Sequence, residues 1–273
     1  MTKFIDEKSN FGPDGPFSRM VREGLDVVQA REAKAAKDRP RPGLTADDLE
    51  GEVGRPEPPK TGTRVAFDTR RAVRLLRAAD PDLGALITSI GPFAMELQSA
   101  PDTFAALSEA IVHQQLSPKA AATIHRRFTT LLEHSGRGSQ PERVLALAGE
   151  ELREVGLSQA KMRAIRDLAE RSLAGEVPTL EEAQAMRDEA VIERLTAVRG
   201  VGRWTAEMFL MFRLGRPDVL PLGDYGLRRG FAVAFTGGRV PDAEEVERRG
   251  EHWRPYRTVA SWYLWRATEA PSR

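Results

Sequence analysis

From about Phe67 to Ala270 the chain is a succession of helix-start signals and helical hydrophobic spacing, and no stretch alternates apolar and polar residues as a half-buried strand does. Phe104, Leu107 and Ile111 fall at i, i+3 and i+7 on one helical face. Ser117-Pro118 offers an N-cap and a first-turn proline for a helix running to about Glu133, and Thr179 with Glu182 forms a capping box for the next long one. Asn-Gly hairpin signals and repeats with a period of roughly 20 to 50 residues are missing. The pattern predicts an all-α fold of roughly ten short helices.

Residues 1–66 follow another rule. Arg39-Pro-Arg-Pro-Gly43 and Gly54-Arg-Pro-Glu-Pro-Pro-Lys60 mix prolines and glycines with charge, and such tracts bury too little apolar surface to offset the entropy of ordering. With 12 Lys+Arg against 12 Asp+Glu this segment is neutral, and it reads as a flexible extension containing at most a short helix over Met20–Lys37. The domain proper is expected at 67–273.

Composition removes several chemistries. A chain of 273 residues without cysteine has no disulfide, no thiolate nucleophile, no Cys-ligated zinc and no Cys-held iron–sulfur cluster. Its 41 Lys+Arg and 40 Asp+Glu leave a formal charge of +1, so any attraction to nucleic acid has to be local. Charges alternate in Met1-Thr-Lys-Phe-Ile-Asp-Glu-Lys8, and no run approaches the roughly 20 apolar residues of a membrane span. A soluble, cytoplasmic protein without membrane contact is expected.

Four constellations remain as candidates. In Leu195-Thr-Ala-Val-Arg-Gly-Val-Gly-Arg-Trp-Thr-Ala-Glu-Met-Phe-Leu-Met-Phe212 a helix ends near Val198, Gly200-Val-Gly202 turns, and a second helix begins near Trp204. That is a helix–hairpin–helix. Its glycines admit close backbone approach, and its N–H groups suit an anion such as a DNA phosphate; from the tripeptide alone, a plain C-cap and turn is the more ordinary reading. Asp224, 22 residues after Gly202, stands where a Pro/Gly loop gives way to a helix. It suits an N-cap, and a carboxylate fixed there also suits opposing positive charge on a sugar. Trp253, Tyr256, Trp262, Tyr263 and Trp265 crowd one C-terminal segment, where most of the rings suit core packing, while Trp204 lies on the hairpin. Three acid-free segments, Lys119 to Leu132, Gly156 to Arg166 and Trp253 to Arg266, each hold three cations. They are ordinary solvated faces or, with the hairpin, a phosphate-contacting surface. Gln114-Gln-Leu-Ser117 lies between two helices, where polar side chains suit a gap in a duplex.

His113, His125, His134 and His252 show no His-Glu-x-x-His or related spacing, so no catalytic metal is expected. Phosphate-loop and dinucleotide-binding signatures are likewise missing.

Together these residues resemble the helix–hairpin–helix DNA glycosylase superfamily, and within it the 3-methyladenine DNA glycosylase II group. The resemblance runs from about Phe67 to Arg266 on four ordered blocks: Ala110-Ile-Val-His-Gln-Gln-Leu-Ser-Pro-Lys-Ala-Ala121, Val198-Arg-Gly-Val-Gly-Arg-Trp-Thr-Ala206, Leu220-Pro-Leu-Gly-Asp-Tyr225 and Trp253-Arg-Pro-Tyr-Arg-Thr-Val-Ala-Ser-Trp-Tyr-Leu-Trp265. It implies a two-lobed helical fold with a cleft between the lobes. It implies a catalytic role for Asp224 and a base pocket of Trp204, Met208, Trp265 and Tyr225. DNA contacts are implied for Gln114, Gln115, Gly200, Gly202, Arg203 and Thr205, with Gln115 as the wedge. A structural monovalent cation is implied on the carbonyls of Thr196, Val198 and Val201, and no other cofactor.

Three departures refine the expectation. Bifunctional members carry a lysine where Trp204 stands, so strand-nicking lyase chemistry should be missing. The branches with a four-cysteine cluster are disfavoured. A second acid and a further pocket aromatic of some members correspond here to Gly223 and Met208. The expected protein is a monomer that excises alkylated purines from double-stranded DNA; the alternative is a non-catalytic binder of distorted duplexes.

Overall fold

A computed structural model describes residues 63–268, so the helix expected over Met20–Lys37 lies outside the described residues. A two-residue strand β1 (Thr63–Arg64) precedes α1 (Thr69–Ala79) and α2 (Pro81–Ile90), and pairs antiparallel with β2 (Glu96–Leu97). There follow α3 (Thr103–His113), α4 (Pro118–His134), α5 (Gln140–Ala146), α6 (Gly149–Glu154), α7 (Gln159–Leu173), α8 (Leu180–Ala185) and α9 (Asp188–Thr196). The remainder is α10 (Arg203–Phe212), α11 (Tyr225–Phe235), α12 (Ala243–Gly250), a 3-10 turn (Glu251–Trp253) and α13 (Arg257–Ala267). The fold is all-α apart from that one short pairing. Among the described residues no helix is long and apolar enough to cross a membrane.

Helix starts follow local chemistry. Asp68, Asp80, Asp102, Ser117, Ser158, Thr179, Asp224 and Asp242 each accept a backbone N–H three residues on, which satisfies one of the four donors a helix leaves open at its start. The Thr179–Glu182 capping box forms, but the long helix expected after it does not. The chain goes extended at Met186 and restarts as α9. The cause is remote: Arg216 Nη2 donates to the carbonyls of Ala183, Gln184 and Met186, giving α8 the cationic C-terminal partner that helix ends favour. This break, with the short α5 and α6, takes the helix number to thirteen among the described residues.

The helices pack in two groups. In one, α3 is buried against α4 and α7, and α7 against α5; Phe104, Leu107 and Ile111 are all buried there, as their spacing predicts. In the other, α11 packs on α13, and α13 on α2. The α11–α13 approach is set by Gly230, where a Cβ would stand 1.8 Å from the carbonyl oxygen of Leu264, so only glycine fits. Between the groups, α10 packs on α9, and its Phe212 ring lies 6.0 Å from that of Trp265 of α13, nearly parallel at 25°.

The second group is tied at Asp80, a buried carboxylate between α1 and α2. It accepts from Leu83 N, from Arg249 Nε and Nη2 and from the Trp253 indole N–H. Burial alone would push its pKa up, but the Arg249 and Trp253 hydrogen bonds outweigh it and hold the group down at about 2.

Candidate active site

The approach of α11 to α13 brings together residues far apart in sequence. Asp224, the N-cap of α11, is 1% exposed. Its Oδ1 accepts from Leu227 N at 2.6 Å and from Trp265 Nε1 at 3.0 Å, and its Oδ2 accepts from Trp204 Nε1 at 2.7 Å. Burial pushes this carboxyl upward from the ordinary aspartate range, while the Trp265, Leu227 and Trp204 donors work against the rise. The result is an enclosed carboxylate held at both oxygens by neutral N–H groups. Such a group is poised to stabilise positive charge developing nearby.

The four residues implied for a base pocket lie around this carboxylate or on the helices that carry it. Both indoles direct their N–H at Asp224, and Trp265 is buried with one face against Phe212. Met208 is buried on α10, whereas Trp204 and Tyr225 are half-buried, so the cluster keeps its surface on their side. Two surface hollows lie elsewhere, one of about 520 Å³ lined in part by Arg126, Arg127 and Glu154, the other of about 540 Å³ beside Asp80 and Arg249. Neither is lined by Asp224.

One helix away, the hairpin joins α9 to α10. Gly200 adopts φ +77°, a left-handed conformation that favours glycine, and Val198 and Val201 are buried beneath the turn. Gly202 is the N-cap of α10 and supplies no side chain to it, so the first N–H groups of that helix, in the Gly202-Arg203-Trp204-Thr205 stretch, are left for an anion. Thr205 itself is buried. The Arg203 guanidinium forks onto Glu189 at 2.7 and 2.9 Å and reaches Glu207 at 3.1 Å. Thr196 ends α9, and the Val198 carbonyl already accepts the Val201 N–H.

The Gln114–Ser117 turn is pinned against the hairpin. Gln114 Nε2 donates to the Gly200 carbonyl at 2.8 Å, and Lys161 Nζ donates to the carbonyls of Val112 and Gln114 at 2.7 Å each. Gln115 is exposed with φ +60°, a left-handed backbone for a residue with a Cβ. Strain of this kind persists only where the surroundings enforce it, and the bonds to Val112 and Gln114 just before it do so here.

Lys161 shows what linear reading missed. It belongs to one of the acid-free segments, yet its ammonium lies between two carbonyls, and burial pushes its pKa down to about 8. Arg166 likewise donates to the Leu147 carbonyl, Arg254 and Arg257 pair with Asp218, and Arg266 lies over the Trp262 ring. Lys119, Arg126, Arg127 and Arg163 are the exposed remainder of these segments. Asp167 was also hidden: its Oδ2 accepts the Arg199 N–H at 2.7 Å, pinning the hairpin backbone. Glu207, buried one turn after Trp204, is pushed up to about 7 by burial, with Arg203 opposing and the Asp224 charge adding to the rise.

Comparison with known proteins follows the same residues. The sequence profile described as HhH-GPD superfamily base excision DNA repair protein matches residues 109–255. DNA-3-methyladenine glycosylase 1 of Schizosaccharomyces pombe is 37% identical over 163 residues, 60% of this chain and 71% of that protein. Among solved structures, the Bacillus halodurans DNA-3-methyladenine glycosidase superposes with a TM-score of 0.68 at 38% identity, covering 76% of this chain and 94% of that one. The S. pombe 3-methyladenine DNA glycosylase in complex with abasic DNA gives 0.64 at 32%, covering 74% and 98%.

Proposed function

The chain belongs to the HhH-GPD superfamily of base-excision DNA repair proteins, and we propose that it is a monofunctional glycosylase hydrolysing the N-glycosidic bond of alkylated purines in double-stranded DNA. The observation that carries this reading is the enclosed Asp224 carboxylate, gripped by two indole N–H groups beside an uncapped helix start. Its relatives named for 3-methyladenine support the substrate class.

The chemistry follows from charge. N-alkylation of a purine at N3 or N7 makes the base cationic and a good leaving group, so departure needs little acid assistance. What remains is positive charge growing at the sugar. Ionised Asp224 opposes that charge across a dry surrounding, where such a group is worth several kcal/mol of barrier, and it orients water toward the same carbon. The α10 N-terminus and hairpin amides hold the phosphate backbone, while Gln115, displayed by its strained turn, occupies the space of the extruded nucleotide. Because the base leaves as a neutral molecule and water supplies the oxygen, the products are free base and an abasic site.

Loss of lyase chemistry rests on amines. Strand nicking through a Schiff base requires an amine at the sugar carbon, and the lysines of the described residues are Lys119 and Lys161. Lys161 is held by carbonyls of the Gln turn, and Trp204 stands where bifunctional members carry the nucleophile. The monovalent cation belongs to the same proposal. Its three donors would be neutral carbonyl oxygens of Thr196, Val198 and Val201, a set that suits a hard monovalent ion. The second lone pair of the Val198 oxygen is compatible with it, and the ion's contribution is rigidity of the phosphate-binding turn.

Asp224→Asn tests the reading. The variant keeps the Oδ1 acceptor for Leu227 and Trp265 and loses the charge. Release of methylated base from alkylated duplex, followed by chromatography, is expected to fall at least ~100-fold with duplex binding retained. Turnover near wild type would refute the assignment.

A further inference from the structure

A group of metal-ligating side chains that does not include Asp224 comes together among the described residues. Glu109 and His113 lie one turn apart on α3, His125 comes from α4, and their ligand atoms all lie within 4.8 Å of one another. The two imidazole rings stand edge to face with centroids 6.0 Å apart. Linear spacing conceals the group, since only the Glu-x-x-x-His pair shares a helix. We propose that Glu109, His113 and His125 form a binding site for a borderline divalent transition-metal ion of the zinc type, clasping α3 to α4.

Two features support the site. Neither imidazole makes a hydrogen bond to the described residues, which is unusual for half-buried rings and leaves their nitrogens to a ligand. The carboxylate is oriented from behind: Arg213 Nη2 donates to Glu109 Oε2 at 2.5 Å and is itself anchored on the Ser99 carbonyl at 2.7 Å. Outer hydrogen bonds of this kind fix ligating carboxylates in metal sites. Two imidazole nitrogens and one carboxylate oxygen make a set that zinc accepts with a fourth position left to water. The positive charges of Arg213 and Lys161 face the cluster and moderate its affinity.

The placement gives the site a consequence. His113 is the last residue of α3, and His125 lies on the first half of α4, so the Gln114–Ser117 turn closes the loop between two ligands. An ion there would staple the two helices that carry the strained Gln115. The proposal stands independently of base excision and is read by metal content.

The full-length protein, stripped with chelator and dialysed, is titrated with ZnCl2 by calorimetry, and bound metal is counted by elemental analysis. One equivalent is expected, with a rise in melting temperature. His113→Ala and His125→Ala should each lose that equivalent while keeping the wild-type circular dichroism spectrum. His134→Ala, on the same α4 helix but with its ring bonded to the Thr130 carbonyl, should retain it. No binding by the wild type, or an equivalent that survives in the His113/His125 double variant, would overturn the site; so would equal loss in His134→Ala. Should a single variant fail to fold, the conservative His125→Gln supplies the same readout.

Discussion

Gly230→Ala is a one-carbon change with a geometric magnitude. The added Cβ would stand 1.8 Å from the Leu264 carbonyl oxygen and 2.4 Å from its carbon. An ordinary contact needs roughly 3.4 Å, so α11 and α13 must part by roughly 1.5 Å, and backbone on both sides leaves no flexible side chain to yield. Overpacking in a close-packed interior costs about 1–3 kcal/mol, and this overlap belongs at the upper end. At about 2–4 °C per kcal/mol for a domain of this size, melting should fall by about 6–12 °C. The same displacement pulls Trp265 from Asp224, whose bond of 3.0 Å bridges α13 and the start of α11. Excision should therefore fall more than the folded fraction explains, with the loss in turnover exceeding that in duplex affinity. Gly149→Ala is the control, since a Cβ there meets nothing within 4 Å. Differential scanning calorimetry and single-turnover base release provide the two readouts. A Gly230→Ala protein with wild-type melting and wild-type excision would refute the claim that this crossing positions the Asp224 carboxylate proposed to act in excision.

Two further predictions concern pH. Asp80 has a folded pKa of about 2 against 3.8 for the free group, so its stabilisation is full above 3.8 and is lost as pH falls toward 2; Asp80→Asn should lower stability by about 1–2 kcal/mol at pH 7 in urea unfolding, with the difference shrinking in acid. Glu207 has the opposite sign: its folded value of about 7 lies above the ordinary 4.5, so the native state binds the proton more tightly and this contribution fades as pH rises from 4.5 through 7. Glu207→Gln should flatten the decline in melting temperature between pH 5.5 and 8. The difference at pH 8 has a ceiling of about 3 kcal/mol, reduced by the lost Arg203 bond; an unchanged slope would contradict the burial argument.

What was legible in the sequence is what is local. The Asp224 cap, the Gly200 turn, the Ser117 helix start and the buried face of α3 each depend on residues within a few positions, and each forms where the chain chemistry puts it. What was not legible depends on partners remote in sequence. Lys161 reads as a free cation until it meets carbonyls 49 and 47 residues away, and Asp167 reads as an ordinary helical acid until it takes the Arg199 N–H 32 residues on. The helix break at Met186 depends on an arginine 30 residues downstream. Periodicity contains no term for such partners, and the charge of a segment says little about a surface whose cations are paired across the fold.

Those hidden contacts explain how the hairpin and the Gln114–Ser117 turn keep a fixed separation. Lys161 and Asp167 both lie on α7, the first holding the Gln114–Ser117 turn by its carbonyls and the second holding the hairpin by its backbone N–H. Gln114 then bridges turn and hairpin directly. For Gln115 to act as the proposed wedge it must push against something, and a turn anchored only at its ends would relax instead. With α7 buried through Met162, Ile165 and Leu168, the reaction force passes into the core rather than into a loop. The hairpin and the Gln115 turn thus share one rigid base, and three hydrogen bonds to fixed partners hold the residues around the left-handed Gln115.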